Sequence, residues 1–376
     1  MTSSILTTHV GSLPRSKELS DFLFAKDKKE LFDQEKFNQV LKQNVMSVVK
    51  RQKDIGIDIV SDGEMSKISY ATYVKDRIQG FSGESERRVP ADLEDFPNFK
   101  LKIANSGGTP TYTRPCCTSK LKIKDDKSLD IDIKNFKDAL IQNSYKTGFM
   151  NSASPGVIAV FMPNKFYPSD DHYLEELSKI MKNEYETIVN ANLQLQLDCP
   201  DLALARHMSF KELTDKEFLN RAEQQIDCLN TALKDISPEK IRIHICWGNY
   251  EGPHIYDIGL EKILPIILKA NVKYFLIESS NPRHAHEWQI FKDIKMPSDK
   301  IIVPGVIDST SNFVEHPQLV ADRLIQFSTV VAKDQIMAGT DCGFSTFAGF
   351  GKVDEEICYQ KLMSLVEGAS IASKII

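Results

Sequence analysis

The sequence predicts an α/β protein built as a (β/α)8 TIM barrel, and three observations carry that expectation. Short apolar, β-branched runs alternate with long amphipathic stretches, the order of a parallel sheet with crossover helices. Roughly seven or eight such units fit the 376 residues, which suits a closed barrel better than an open doubly wound sheet. No Gly-x-Gly-x-x-Gly follows the first run, so a dinucleotide-binding open sheet has little support.

Taken in order, residues 35–53 space apolar side chains three and four apart, as a helix does. They lead into Gly56-Ile-Asp-Ile-Val60, read as a strand over 56–60. From Gly80 to Lys124 the alternation breaks. That stretch is rich in charge, Pro, Gly and Thr and reads as an irregular loop or hairpin excursion near residues 82–130, not as a separate domain. Val157-Ile-Ala-Val-Phe161 is apolar throughout and is expected to be a strand over 157–161. A helix over 173–191 precedes a strand at 193–197, and a helix over 215–233 precedes one at 241–245. After a helix over 260–269 come strands at 274–277 and 301–303. A helix over 316–332, a strand at 336–338 and a helix over 353–373 complete a single domain spanning 1–376.

Composition removes several function classes. Hydrophobic residues make up 41% and charged residues 26%, which excludes disordered, collagenous and coiled-coil chains. With Lys plus Arg at 47 and Asp plus Glu at 52, the net charge is 47 − 52 = −5, so broad binding to nucleic-acid phosphates is not expected. No apolar run reaches the roughly 18 residues that span a bilayer. The first nine residues carry neither a basic nor an apolar region, so no secretory signal is read. Seven cysteines without dense spacing make no disulfide framework. A soluble, reduced, cytoplasmic protein is expected.

Polar residues collect where the expected strands end: Asp62 and Glu64, Asp198, His244 and Cys246, Glu278, Asp308, Asp341 and Cys342. In a (β/α)8 barrel all of these ends open onto one face, so residues far apart in sequence would converge there. His244-Ile-Cys246 puts an imidazole and a thiol on the same side of a strand. Two thiolates, an imidazole and a carboxylate would select Zn2+ over hard cations, which prefer oxygen alone. Spacing alone leaves the other account open, in which both cysteines are buried apolar residues and His244 is a hydrogen-bonded core histidine.

The run Thr7-Thr-His-Val-Gly-Ser-Leu-Pro-Arg15, the run Gly56-Ile-Asp-Ile-Val-Ser-Asp-Gly-Glu64 and Leu197-Asp-Cys-Pro-Asp201 resemble the cobalamin-independent methionine synthase family. So do His244-x-Cys246, Glu278, Pro304-Gly-Val-Ile-Asp308 and Asp341-Cys-Gly343. The resemblance runs in order along nearly the whole chain. It is to the catalytic C-terminal half of the long enzymes, and most of all to the short, stand-alone type. It implies a barrel shared with uroporphyrinogen decarboxylase, whose chemistry needs no zinc. It further implies one Zn2+ per chain on His244, Cys246, Glu278 and Cys342, and methyl transfer to the thiol of homocysteine, giving methionine. By the same resemblance Val10, Gly11 and Ser12 meet the substrate carboxylate and Asp198 its ammonium, with Glu64 as a second carboxylate.

The pattern departs on the methyl-donor side. Thr310 stands where the long enzymes carry a proton-donating histidine, and a hydroxyl cannot do that chemistry near neutral pH. Leu204 stands where a glutamate helps hold the folate, and Arg114-Pro-Cys-Cys117 only loosely echoes the pair that contacts the pterin. Methyl-folate with a long glutamate tail is therefore expected to be a poor donor, leaving another methylated compound or a methyl-carrier protein. His254, in a loop following the ligand strand, is a candidate for the missing acid, and Arg283 or His254 for an anion contact. His284-x-His286 offers only a weak hint of a second metal. The alternative activity is thiol addition to another electrophile, as in the epoxyalkane:coenzyme M transferase relatives. A homo-oligomer is compatible with all of this.

Overall fold

Residues 4–105, 112–124 and 127–376 are described by the structure, a computed structural model. The first strands belong to the excursion. Strand β1 (Ile78–Ser82) pairs antiparallel with β2 (Cys116–Ile123), and short helices Ala91–Asp95 and Pro97–Asn105 lie between them. Residues 106–111 and 125–126 of the span expected near 82–130 lie outside the described residues.

The main sheet, among the described residues, has six parallel strands that neighbour one another in chain order. They are β3 (Phe149–Ala153), β4 (Gln194–Asp198), β5 (Ile241–Ile245), β6 (Tyr274–Ile277), β7 (Ile301–Ile307) and β8 (Gly339–Thr340). Extended segments flank both edges. Ser61 bridges Phe149 of β3, Thr7 bridges Ala338 just before β8, and the Ile59 N–H donates to the Thr7 carbonyl at 3.1 Å. The segment expected as a strand over 56–60 therefore lies in place but is held by isolated bridges.

One expected strand is a helix. Residues 157–161 belong to the helix Pro155–Phe161, and the strand is β3, just upstream. Ser154 accepts the Val157 N–H at 3.0 Å, and Pro155 fills the first helical turn, where its missing N–H costs nothing. An apolar run that reads equally as strand or buried helix was settled by this cap. The helices expected from 35, 173, 215, 260, 316 and 353 onward form near those positions, and Lys17–Asp27 and Lys127–Gln142 are helices that were not expected. Gln34–Ile55 starts on Asp33, whose carboxylate accepts the Lys36 N–H, and stops at Gly56 in a left-handed conformation of φ +94°. Asp215–Leu233 opens with a reciprocal capping box between Thr214 and Glu217. No helix among the described residues is long and apolar enough to cross a membrane.

A buried ionic network fixes the root of the excursion. Arg77, immediately before β1, donates to Asp132 Oδ2 at 2.6 Å and to Glu184 Oε2 at 2.9 Å, which lie on the helices Lys127–Gln142 and Asp170–Asn190. Glu184 also accepts from Tyr73 and Ser152. Burial raises the Glu184 pKa, but the charges of Arg77 and Lys67 and the hydrogen bonds from Tyr73 and Ser152 together outweigh it, and the group is held below its ordinary value. Removing the guanidinium leaves two buried carboxylates uncompensated. Arg77→Ala is therefore expected to lower stability by about 3–5 kcal/mol in urea unfolding; a change below about 1 kcal/mol would show that water or a neighbour replaces it.

Candidate metal and substrate site

Strand alternation puts Arg242 and His244 on the interior face of β5, and Cys246 follows two residues later. Arg242 spans the interior to the N-terminal segment, donating to Thr8 Oγ1 and the His9 carbonyl, each at 3.0 Å. Cys342 follows β8, and its Sγ lies 3.6 Å from His244 Nε2. The donor atoms of His244, Cys246 and Cys342 all lie within 4.8 Å of one another, and all three residues are buried. A nitrogen and a sulfur on one tetrahedral zinc stand about 3.5 Å apart at ordinary bond lengths, so this edge needs no rearrangement. His244 Nδ1 has no partner among the described residues. The set fits a borderline-soft divalent ion.

Glu278, expected as the fourth ligand, follows β6 and is buried beside this cluster but outside its 4.8 Å circle. Its Oε2 accepts the Trp247 N–H at 3.0 Å and its Oε1 accepts Asn281 Nδ2 at 2.9 Å. Asp341 holds the loop that carries Asn281, accepting the backbone N–H groups of Ser279, Ser280 and Asn281 at 2.8–2.9 Å. This carboxylate is thus a loop anchor next to Cys342. Within the cluster Cys246 is the more acidic thiol, lowered first by a hydrogen bond from Cys342 and then by His244. Cys342 is correspondingly pushed up.

The cluster forms one wall of a cavity of about 300 Å³. Val10, Ser12, Glu64 and Asp198 line the same space, so residues from five parts of the chain meet there. Burial pushes Glu64 up to about 7, with Lys67 opposing and Asp198 adding to the shift, and its Oε2 has no hydrogen-bond partner among the described residues. Burial also raises Asp198, against the pull of His244 and Asn151. Two carboxylates, one with an unfilled oxygen, make a receptor for an ammonium. The residue that sequence reasoning missed is Asn151 on β3. Its Nδ2 donates to the Val10 carbonyl at 2.9 Å and to both Asp198 oxygens at 3.0 and 3.2 Å.

The excursion roofs the cavity with Arg87, Arg88, Leu93 and Arg114, and Lys352 joins from the other side. Leu204 and Phe161 lie on the apolar wall. Thr310 is not a lining residue. Its N–H and Oγ1 both donate to Asp308 Oδ1, which closes a local turn. His254 is not brought to the cavity either. It sits at φ +52°, 2% exposed, with Nδ1 2.8 Å from Asp257 Oδ2 and Nε2 3.1 Å from the Tyr250 carbonyl. The expected acid role for His254 is corrected on that ground: both ring nitrogens are engaged away from the cavity. Arg283 is exposed and points to the Ile255 carbonyl.

The family model described as the cobalamin-independent synthase catalytic domain matches residues 5–95 and 165–350. The chain belongs to this family. Methionine synthases of Sulfolobus acidocaldarius and Saccharolobus solfataricus are 24% and 23% identical to it, covering 97% of this chain and 91% and 94% of theirs. In fold it is similar to a B12-independent methionine synthase from Shewanella solved with selenomethionine. That TM-score is 0.72 at 19% identity, covering 99% of each chain.

Gly11, at φ +142°, tests how tightly this wall is set. A Cβ there would stand 2.2 Å from Asn151 Oδ1, in an amide already pinned to Val10 and Asp198. Gly11→Ala is expected to cost about 1–3 kcal/mol in urea unfolding through backbone strain and displacement of Asn151. An unchanged midpoint would mean that Asn151 moves aside freely.

Proposed function

We propose that the chain is a zinc-dependent S-methyltransferase that moves a methyl group onto the thiol of homocysteine, giving methionine. The observation that carries the reading is one cavity with a His-Cys-Cys cluster on its wall and two buried carboxylates facing the same space. An amino acid with a thiol side chain presents matching groups, an ammonium and a sulfur. Family membership and the named relatives support the same reaction.

Zinc would be held by His244, Cys246 and Cys342, with Glu278 as fourth donor. When bound, zinc keeps a thiol deprotonated at neutral pH and therefore nucleophilic. The chain does the rest. Asp198 and Glu64 hold the ammonium, Asn151 aims Asp198, and the family resemblance assigns the substrate carboxylate to the Val10-Gly11-Ser12 segment, of which Val10 and Ser12 line the cavity. The apolar wall and the excursion keep water from the reacting carbon. In the transfer the carbon gives up its bond to the donor and gains one to sulfur; the electron pair of the broken bond leaves with the donor. Arg87, Arg88, Arg114 and Lys352 give the donor side a positive rim, which suits a donor bearing carboxylate or phosphate groups better than the three sequence departures suggest.

We further read the eight extended segments as a closed (β/α)8 barrel forming one domain over 1–376. The bridges at Thr7 and Ser61, and the Ile59–Thr7 hydrogen bond between them, support closure.

Two experiments test the reaction site. Cys246→Ser and Cys342→Ser should each lose about one zinc per chain relative to the wild type, measured as metal per chain; full retention in both would remove the ligand assignment. Methionine, which has the product's ammonium and no thiol, should bind more tightly as pH rises through about 7, where Glu64 ionises. The sign follows from a raised carboxyl pKa: the charged, ammonium-binding form exists above it. Glu64→Gln should flatten this profile in calorimetry, and Asp198→Asn should weaken methionine about tenfold or more at every pH, as expected for loss of a charged hydrogen bond worth about 1.5–3 kcal/mol.

A further inference from the structure

Beneath the loop that follows β5 lies a second buried group of metal-capable side chains. The ligand atoms of His254, Asp257 and His284 lie within 4.8 Å of one another. Asp257 Oδ2 is 2.8 Å from His254 Nδ1 and 2.8 Å from His284 Nε2. The other nitrogen of each ring is fixed. His254 Nε2 faces the Tyr250 carbonyl at 3.1 Å, and His284 Nδ1 faces Glu287 Oε2 at 2.9 Å. A carbonyl and a carboxylate only accept hydrogen bonds, so each of these nitrogens carries the ring's proton. The nitrogens turned toward Asp257 are then the lone-pair nitrogens, and they face a third acceptor. With both carboxylates ionised and no other cation present, each ring carries an extra proton, giving two imidazoliums at 2% exposure.

We propose that this group binds a divalent transition ion of the Zn2+ or Co2+ class, on His254 Nδ1, His284 Nε2 and Asp257. The ion replaces the two extra protons charge for charge, and leaves each histidine neutral, with its distal N–H held by an acceptor as metal-bound imidazoles ordinarily are. Nitrogen and oxygen donors without sulfur separate it from the thiolate cluster. A second observation points the same way. His207, 2% exposed, has Nε2 3.0 Å from Asp257 Oδ1, but off the line of a hydrogen bond, and neither ring nitrogen nor that oxygen has a partner among the described residues. His207 and Asp257 also line a separate cavity of about 380 Å³, a route by which an ion and its waters reach the carboxylate. Trp247 stacks on His284 with ring centroids 3.9 Å apart, so occupancy would fix the residue whose N–H holds Glu278.

Chelator-stripped protein titrated with Co2+ tests this independently of the methyltransfer reading. The wild type should take up about two ions per chain, one with intense thiolate-to-cobalt absorption and one with only weak visible bands. Cys246→Ser/Cys342→Ser should keep the weak bands and lose the intense one. His254→Gln and His284→Gln should do the reverse, and their retained thiolate absorption shows that the fold has survived. Uptake of a single ion by the wild type with none by the double cysteine variant would overturn the proposal. So would weak bands that persist in both histidine variants, or a wild-type protein in which both rings are imidazolium and Co2+ does not displace their protons.

Discussion

The cavity exists because the N-terminal segment is clamped inside the sheet. Residues 5–13 are not a named strand, yet nearly every polar group along them is claimed from across the fold. Thr8 N–H donates to the Ala338 carbonyl, and Thr8 Oγ1 and the His9 carbonyl accept from Arg242. Asn151 and Gln196 both donate to the Val10 carbonyl, and Ser61 donates to the Gly11 carbonyl. An uncompensated guanidinium in this interior would be costly, and Arg242 meets two acceptors and the face of Phe149, 3.7 Å away. Release of this segment would remove Val10 and Ser12 from the site and open the sheet beside β8.

The same geometry explains how chemistry from distant parts of the chain comes together. A parallel strand turns every second side chain inward, so Arg242, His244 and Cys246 form one inward row that runs from structural anchor to the His-Cys-Cys cluster. Support then comes from residues that touch no substrate. Asp341 takes three backbone amides of the loop after β6, and Asn151 binds Asp198 through both oxygens. These groups convert flexible strand ends into a fixed array, which is what orientation-dependent transfer requires.

Much of this was legible in the sequence, and the failures have identifiable causes. The convergence of His244, Cys246 and Cys342 was readable because they lie at or just after the ends of alternating or short β-branched runs, at positions that a parallel sheet turns to one end. β3 was not, because its central residues Asn151 and Ser152 are polar and break the apolar signature, while the neighbouring helix mimicked a strand. His254 was misplaced because nothing in a loop sequence reveals a left-handed backbone that turns a ring away from the cavity. The role of the excursion was hidden for a similar reason: low periodicity marks an irregular segment but not the surface that it covers. Glu64 was found by resemblance, yet its unfilled oxygen is a property of packing alone.

The distribution of charge along the cavity has a kinetic consequence. Of the residues lining it, Glu64 and Asp198 are buried, whereas Arg87 and Arg88 are exposed and Arg114 and Lys352 half-buried, so charge of opposite sign lies at different depths. A zwitterion drifting inward experiences a torque before it touches anything: its cationic end is repelled by the rim and drawn down, and its anionic end trails. Capture is thus directional, and a molecule arriving backwards is turned or rejected during approach instead of being sorted after docking. Salt would blunt that alignment at the mouth, where solvent reaches, far more than at the enclosed end.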